Sequence, residues 1–165
     1  MKSKVFMIFV LAAILAAPFV GSAYAQGHSN LAAVRAATAQ FHRVEVAEAA
    51  GYVNVNVGEC VELPGVGGMG YHFANFGLLD LELDPVQPEI LLYAPSPSGK
   101  LRLVAVEYAV PIEPWDALYD YPPSVLGQDL HPNPHLGLYV LHAWVWQNNP
   151  YGMFADWNPN VSCEL

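Results

Sequence analysis

Proline and glycine punctuate this sequence so often that long regular elements have little room to form. They number 14 and 13 in 165 residues, about a sixth of the chain. Such spacing favours short strands joined by turns over a bundle of helices. The exception is Asn30–Ala50, an Ala-rich stretch with neither residue. Leu31, Val34, Phe41, Val44 and Glu48 fall near one of its faces, Ser29 or Asn30 can cap its start, and Gly51 can stop it. The spacing predicts a single helix of about five to six turns, docked on a sheet through small side chains.

After Gly51 the period changes to two. Tyr52–Val57 alternates Val against Asn and reads as a half-buried strand. Cys60–Leu63, Tyr71–Phe76, Glu89–Ala94, Leu101–Val110 and Leu138–Trp146 read as further strands, the last two apolar on both faces as central strands are. The run Pro64-Gly65-Val66-Gly67-Gly68-Met69-Gly70 lacks the helix and lysine of a phosphate-binding loop, and reads as a tight turn. Hydrophobic residues make up 54% and charged residues 13%, a composition that builds a core. The expected fold is α+β: one domain over residues 26–165, with a long N-terminal helix packed on a curved, mostly antiparallel β-sheet or partial barrel.

Residues 1–25 read as a signal peptide. Lys2 and Lys4 precede the apolar run Val5–Val20, and Ala23 and Ala25 supply the small residues of a cleavage site. The run is 16 residues long and contains Pro18. It falls short of the roughly 20 residues a membrane span needs, so no stable membrane insertion is expected after cleavage. A secreted or periplasmic location follows. Loss of Lys2 and Lys4 takes the formal charge from −9 to −11, which excludes nucleic acid and anionic membrane surfaces as partners. In an oxidising compartment Cys60 and Cys163, 103 residues apart, are expected to form a disulfide; without C-x-x-C spacing a two-Cys metal site is the weaker reading.

Three polar residues interrupt apolar strand faces. Glu107 alternates with Leu101, Leu103, Ala105 and Ala109; His142 with Leu138, Val140, Trp144 and Trp146; His72 with Ala74 and Phe76. A carboxylate in such a setting is costly unless paired, protonated or bound to a metal. The segment His131-Pro132-Asn133-Pro134-His135 adds two imidazoles in a loop stiffened by proline. Were the strands neighbours, His72, Glu107, His142 and either His131 or His135 would converge as ligands for a divalent transition metal, with Glu107 as ligand or general base. The H-x-H pair of a cupin is missing.

Other readings stand beside this one. Glu107 can pair with Arg35 or Arg43, leaving the histidines as satisfied core or surface groups. Trp144, Trp146, Trp115, Trp157, Tyr119, Tyr121 and Tyr151 can form a platform for a small molecule or glycan, or simply fill core. The chain can also be a structural or interaction protein of the cell envelope without catalysis. Asp156, in Phe154–Pro159, is expected to cap turn amides. No G-x-S-x-G elbow supports a serine hydrolase.

Longer strings carry a resemblance. They are Ala37–His42 running through Ala50-Gly51-Tyr52, Gly68-Met69-Gly70-Tyr71-His72-Phe73, Pro88–Tyr93, Leu101–Tyr108, Leu141–Trp146 and Asn149–Pro159. Together they resemble a family of uncharacterised secreted bacterial proteins with no established activity. The resemblance covers most of residues 30–165 and implies export and a single domain. The exported chain is expected to begin at Gln26; an intact mass that retains residues 1–25 in a soluble fraction counts against the leader.

Overall fold

The structure, a computed structural model, describes residues 22–55 and 59–164. The leader is thus outside the described residues up to position 21, as are 56–58 of the first expected strand. Among the described residues, no helix is long and apolar enough to cross a membrane.

The helical layer is broken where a single helix is expected over residues 30–50. Helix α1 (Ser22–Thr38) gives way to a 3-10 turn (Ala39–His42), and α2 (Val44–Ala49) follows. Thr38 lies at the break: its buried hydroxyl donates to the Val34 carbonyl at 2.8 Å, a back-bond of the kind that bends helices. Arg43 is then extended at φ −96° and ψ 111°. The change of direction turns Phe41 inward, where its carbonyl accepts the Tyr93 hydroxyl at 2.6 Å. Gly51, at φ +97°, ends α2 as expected.

The strands are β1 (Val53–Asn54), β2 (Val61–Leu63), β3 (Gly67–Ala74), β4 (Ile90–Pro95) and β5 (Leu101–Pro111). After a short helix α3 (Ile112–Asp116) come β6 (Ser124–Val125), β7 (Gln128–Asp129), β8 (His131–Asn133) and β9 (Leu138–Ala143). All pairings are antiparallel. The main sheet runs β1-β3-β4-β5-β9-β8, with β2 also on β3, and β6 and β7 form a separate hairpin. The sheet is open rather than closed into a barrel.

Two glycines explain why the Gly-rich run is mostly strand. Only residues 64–66 turn; from Gly67 the chain is β3. Gly68 exchanges both backbone hydrogen bonds with Asn158 at 3.1 Å, and a Cβ there would lie 2.8 Å from the Val161 carbonyl oxygen. Gly70, at φ +92°, passes so close to the Tyr93 carbonyl that a side chain has no place. Glycine in a strand here marks close backbone approach.

Strand β5 carries a bulge. Leu92 pairs with Ala105 but Tyr93 with Leu103, leaving Val104 as the extra residue. Its carbonyl accepts the amides of Trp146 and Gln147 at 3.2 and 3.0 Å. The bulge moves Leu101 and Leu103 to the helix side, among Val34, Phe41, Tyr93 and Tyr108. Ala105 and Ala109 stay on the opposite face with Ala74, Ile90, Leu92 and Val140. Five alternating positions from Leu101 to Ala109 therefore do not share one face.

Cys60 and Cys163 form the expected disulfide, with Cα atoms 5.6 Å apart. The Cys163 amide also donates to Glu62 at 2.7 Å. Closing a loop of 103 residues is worth about 4–5 kcal/mol in the chain-entropy view. The Cys60→Ser/Cys163→Ser chain should unfold at a correspondingly lower urea midpoint. An unchanged midpoint would mean that backbone pairing and Glu62 hold the segment by themselves.

Candidate metal centre

Three adjacent strands and one strand beyond them bring polar side chains to the sheet face opposite the helices. Glu107 lies mid-strand in β5, paired with Ile90 on one side and His142 of β9 on the other. His72 of β3 pairs with Leu92, itself opposite Ala105. Register and pleat together put His72, Glu107 and His142 on one face. Small neighbours, Ala74, Ala105 and Ala109, share this face, and Ala74 lines the cavity above it.

The distances are short. His72 Nε2 is 3.6 Å from Glu107 Oε2, and His142 Nε2 is 3.9 Å from Glu107 Oε1. One donor atom from each residue can be chosen so that all lie within 4.8 Å of one another. Glu107 is 3% exposed and His142 2%. His72 Nδ1, Glu107 Oε2 and both ring nitrogens of His142 are buried without a hydrogen-bond partner. His72, Glu107 and His142 thus form a group that could hold a metal ion.

Among the described residues no arginine pairs with Glu107. Arg35 donates instead to the Val145 carbonyl at 2.7 Å, and Arg102 to Gln147 Oε1 at 2.6 Å. Asp156 is the residue that sequence reasoning missed. The 149–157 loop folds back along Trp144, whose indole donates to Ala155 O at 2.6 Å. Asn149 fastens the loop by donating to the Trp157 carbonyl at 3.0 Å. Asp156 Oδ1 arrives 3.5 Å from His142 Nδ1 and 3.3 Å from His131 Nε2. His131 therefore meets Asp156 rather than the three-residue group, and His135 lines the cavity above.

The local field differs from ring to ring. Burial lowers the His72 pKa, and the Glu107 charge only partly offsets it. Burial also pushes His142 down, but Glu107 and then Asp156 outweigh it, and its pKa is raised. Asp156 is held below the usual carboxylate range, chiefly by the facing His142 ring.

The face is the floor of a cavity of about 550 Å³. Its lining also includes Glu89, 2% exposed. Just before β4 begins, the Glu89 carboxyl stands in for a strand partner and accepts the Ala109 amide at 3.1 Å. The Pro-rich approach to Glu89 is pinned by two hydroxyls, Tyr52 to Pro88 O at 2.8 Å and Tyr108 to Pro85 O at 2.7 Å.

The aromatics divide. Trp144 is buried and Trp146 is partly buried, with its indole donating to Thr38 Oγ1 at 3.1 Å. Trp115, Tyr119 and Tyr121 cluster away from the cavity, with Trp115 and Tyr119 ring centres 4.4 Å apart. Comparison of the chain with family models, curated proteins and solved structures gives no match.

Glu89 generates a pH prediction. Burial raises its pKa from 4.5 to about 8, so the folded chain holds one more proton than the unfolded chain between those values. Stability should therefore fall as pH rises through that window, by about 4–5 kcal/mol in total. Glu89→Gln should flatten this part of the pH–stability profile, measured by urea unfolding. An unchanged slope in the variant would assign the effect to another group.

Proposed function

We propose that this protein binds a divalent transition metal ion through His72, Glu107 and His142. The observation that carries the reading is that His72, Glu107 and His142, from three strands, each offer a donor atom within 4.8 Å of the others and each hold a buried polar atom without a hydrogen-bond partner. A shared cation would take one donor atom from each residue, leaving His142 Nδ1 to the facing Asp156, whereas without it four buried atoms of the three side chains lack hydrogen-bond partners. Two imidazoles and one carboxylate suit first-row divalent ions and leave coordination positions open. All three residues line the cavity.

In this reading Asp156 orients His142 through Nδ1, freeing Nε2 for the ion, as carboxylates behind metal-bound histidines do. His131 braces Asp156 from its other side. The disulfide supports placement of the site outside the reducing cytoplasm. Glu107, if it leaves the ion's coordination shell, is the nearest base for a metal-activated water.

The test uses full-length exported protein purified without a His-tag or chelator. Elemental analysis and Co²⁺ titration, followed by its visible absorption, should give one ion per chain. Glu107→Gln and His142→Ala should abolish that signal while the circular dichroism of the fold persists. Asp156→Asn should weaken binding about 10- to 100-fold. Native protein that takes up no metal, or variants that bind as it does, would overturn the reading.

A further inference from the structure

We propose that the cavity above the metal site receives an uncharged, largely apolar small molecule and directs a single oxygen of that molecule onto the ion. The inference rests on the metal reading and goes on to specify the class of ligand.

Three observations define that class. The first is size and lining. A volume of about 550 Å³ lies in the range that encloses most of a drug-sized ligand. Val55, Met69, Leu79, Ile90 and Val140 are among the walls, so most of a ligand's surface would meet hydrocarbon.

The second is charge. Among the described residues lining the cavity there is no Lys or Arg, while Glu89, Glu107 and Asp156 all border it. A divalent ion would offset the two carboxylates nearest it, Glu107 and Asp156, and burial disfavours the charged form of Glu89. The loaded site is then close to neutral. A charged ligand would lose its hydration without gaining an opposite charge, an unfavourable exchange in an apolar enclosure. An anion has the further disadvantage of the chain's formal charge of −9.

The third is the mouth. Phe76 and Leu136 line the cavity and are 64% and 63% exposed. Large apolar side chains left in water at the rim of an apolar cavity mark the entry of an apolar guest. Opposite these apolar walls the lining holds the His72–Glu107–His142 floor, with open positions on the ion for the polar end of that guest.

Two matched pairs of probes test this on the full exported chain. N-phenyl-1-naphthylamine and 8-anilino-1-naphthalenesulfonate share a ring system and differ by the sulfonate. The neutral probe should bind at least ten-fold more tightly, with or without metal. Leu79→Trp, which narrows the cavity, should weaken it at least ten-fold. Phe76→Asp, at an exposed position, should weaken it while leaving folding and Co²⁺ uptake intact. Equal or tighter binding of the sulfonate, or indifference to both substitutions, overturns the assignment of ligand class even when Co²⁺ binds.

The second pair is biphenyl-4-methanol and 4-methylbiphenyl. With Co²⁺-loaded protein, the alcohol alone should shift the visible bands, and its affinity alone should rise on loading. Bands that ignore the alcohol overturn the oxygen-on-metal contact. A chain that takes up no Co²⁺ overturns the metal reading itself, a result separable from the first pair because the naphthyl probes need no ion.

Discussion

A carboxylate buried at the centre of a sheet sets terms for everything around it. Glu107 sits mid-strand in β5, flanked on both sides by paired strands, so neither solvent nor a flexible loop can reach it from the sheet edge. An ion in that setting costs several kcal/mol unless its neighbours compensate. The compensation here comes from His72 and His142, one diagonal across β4 and one directly opposite in β9. Asp156 and His131 extend the series of alternating acids and imidazoles. The small residues beside Glu107 belong to the same arrangement: Ala74, which lines the cavity, shares this face with Ala105 and Ala109, whereas Tyr93, Tyr108 and Leu103 fill the opposite face beneath the helices. One sheet thus has a packed side and a hollow side.

The hollow side depends on the path of the chain after β9. The bulge at Val104 provides a carbonyl for the amides of Trp146 and Gln147, which pulls that segment across the sheet. The 149–157 loop then turns back on Trp144 and delivers Asp156. From Asn158 the backbone runs against Gly68, where only hydrogen fits, and the disulfide fastens the segment beside β2. The position of Asp156 beside His142 therefore rests on contacts distributed over the whole sheet.

That distribution explains which parts were legible in the amino-acid order. His72, Glu107 and His142 stand out because each breaks a run of apolar residues, and strand alternation is a local pattern. Five of the six strands read from periodicity are found near their expected positions, and the sixth, Tyr52–Val57, is represented among the described residues by β1. Asp156 carries no comparable signal: an acid in a loop rich in Asn, Gly and Pro looks like a turn cap, and its role arises from tertiary return of the chain. Thr38 is equally silent. In an Ala-rich run it fits a continuous helix, and only its buried back-bond and the demand for Phe41 in the core reveal the break. Gly67–Gly70 misleads for the opposite reason. Glycine serves both turns and close strand contacts, and sequence alone favours the commoner use.

The bulge carries one further consequence for the site. Because Val104 is an extra residue, the alternation of β5 resets between Leu103 and Ala105. An unbulged β5 that kept Leu101 and Leu103 on the helix side would send Glu107 there too, toward Phe41, Leu91 and Tyr93, with no imidazole opposite. The inserted residue flips the rest of the strand, so Glu107 faces His142 and the hollow side. A backbone irregularity three residues away thus decides whether the central carboxylate has partners. It also explains why a strand apolar on both faces can hold one charge: only the register beyond the bulge makes that position tenable.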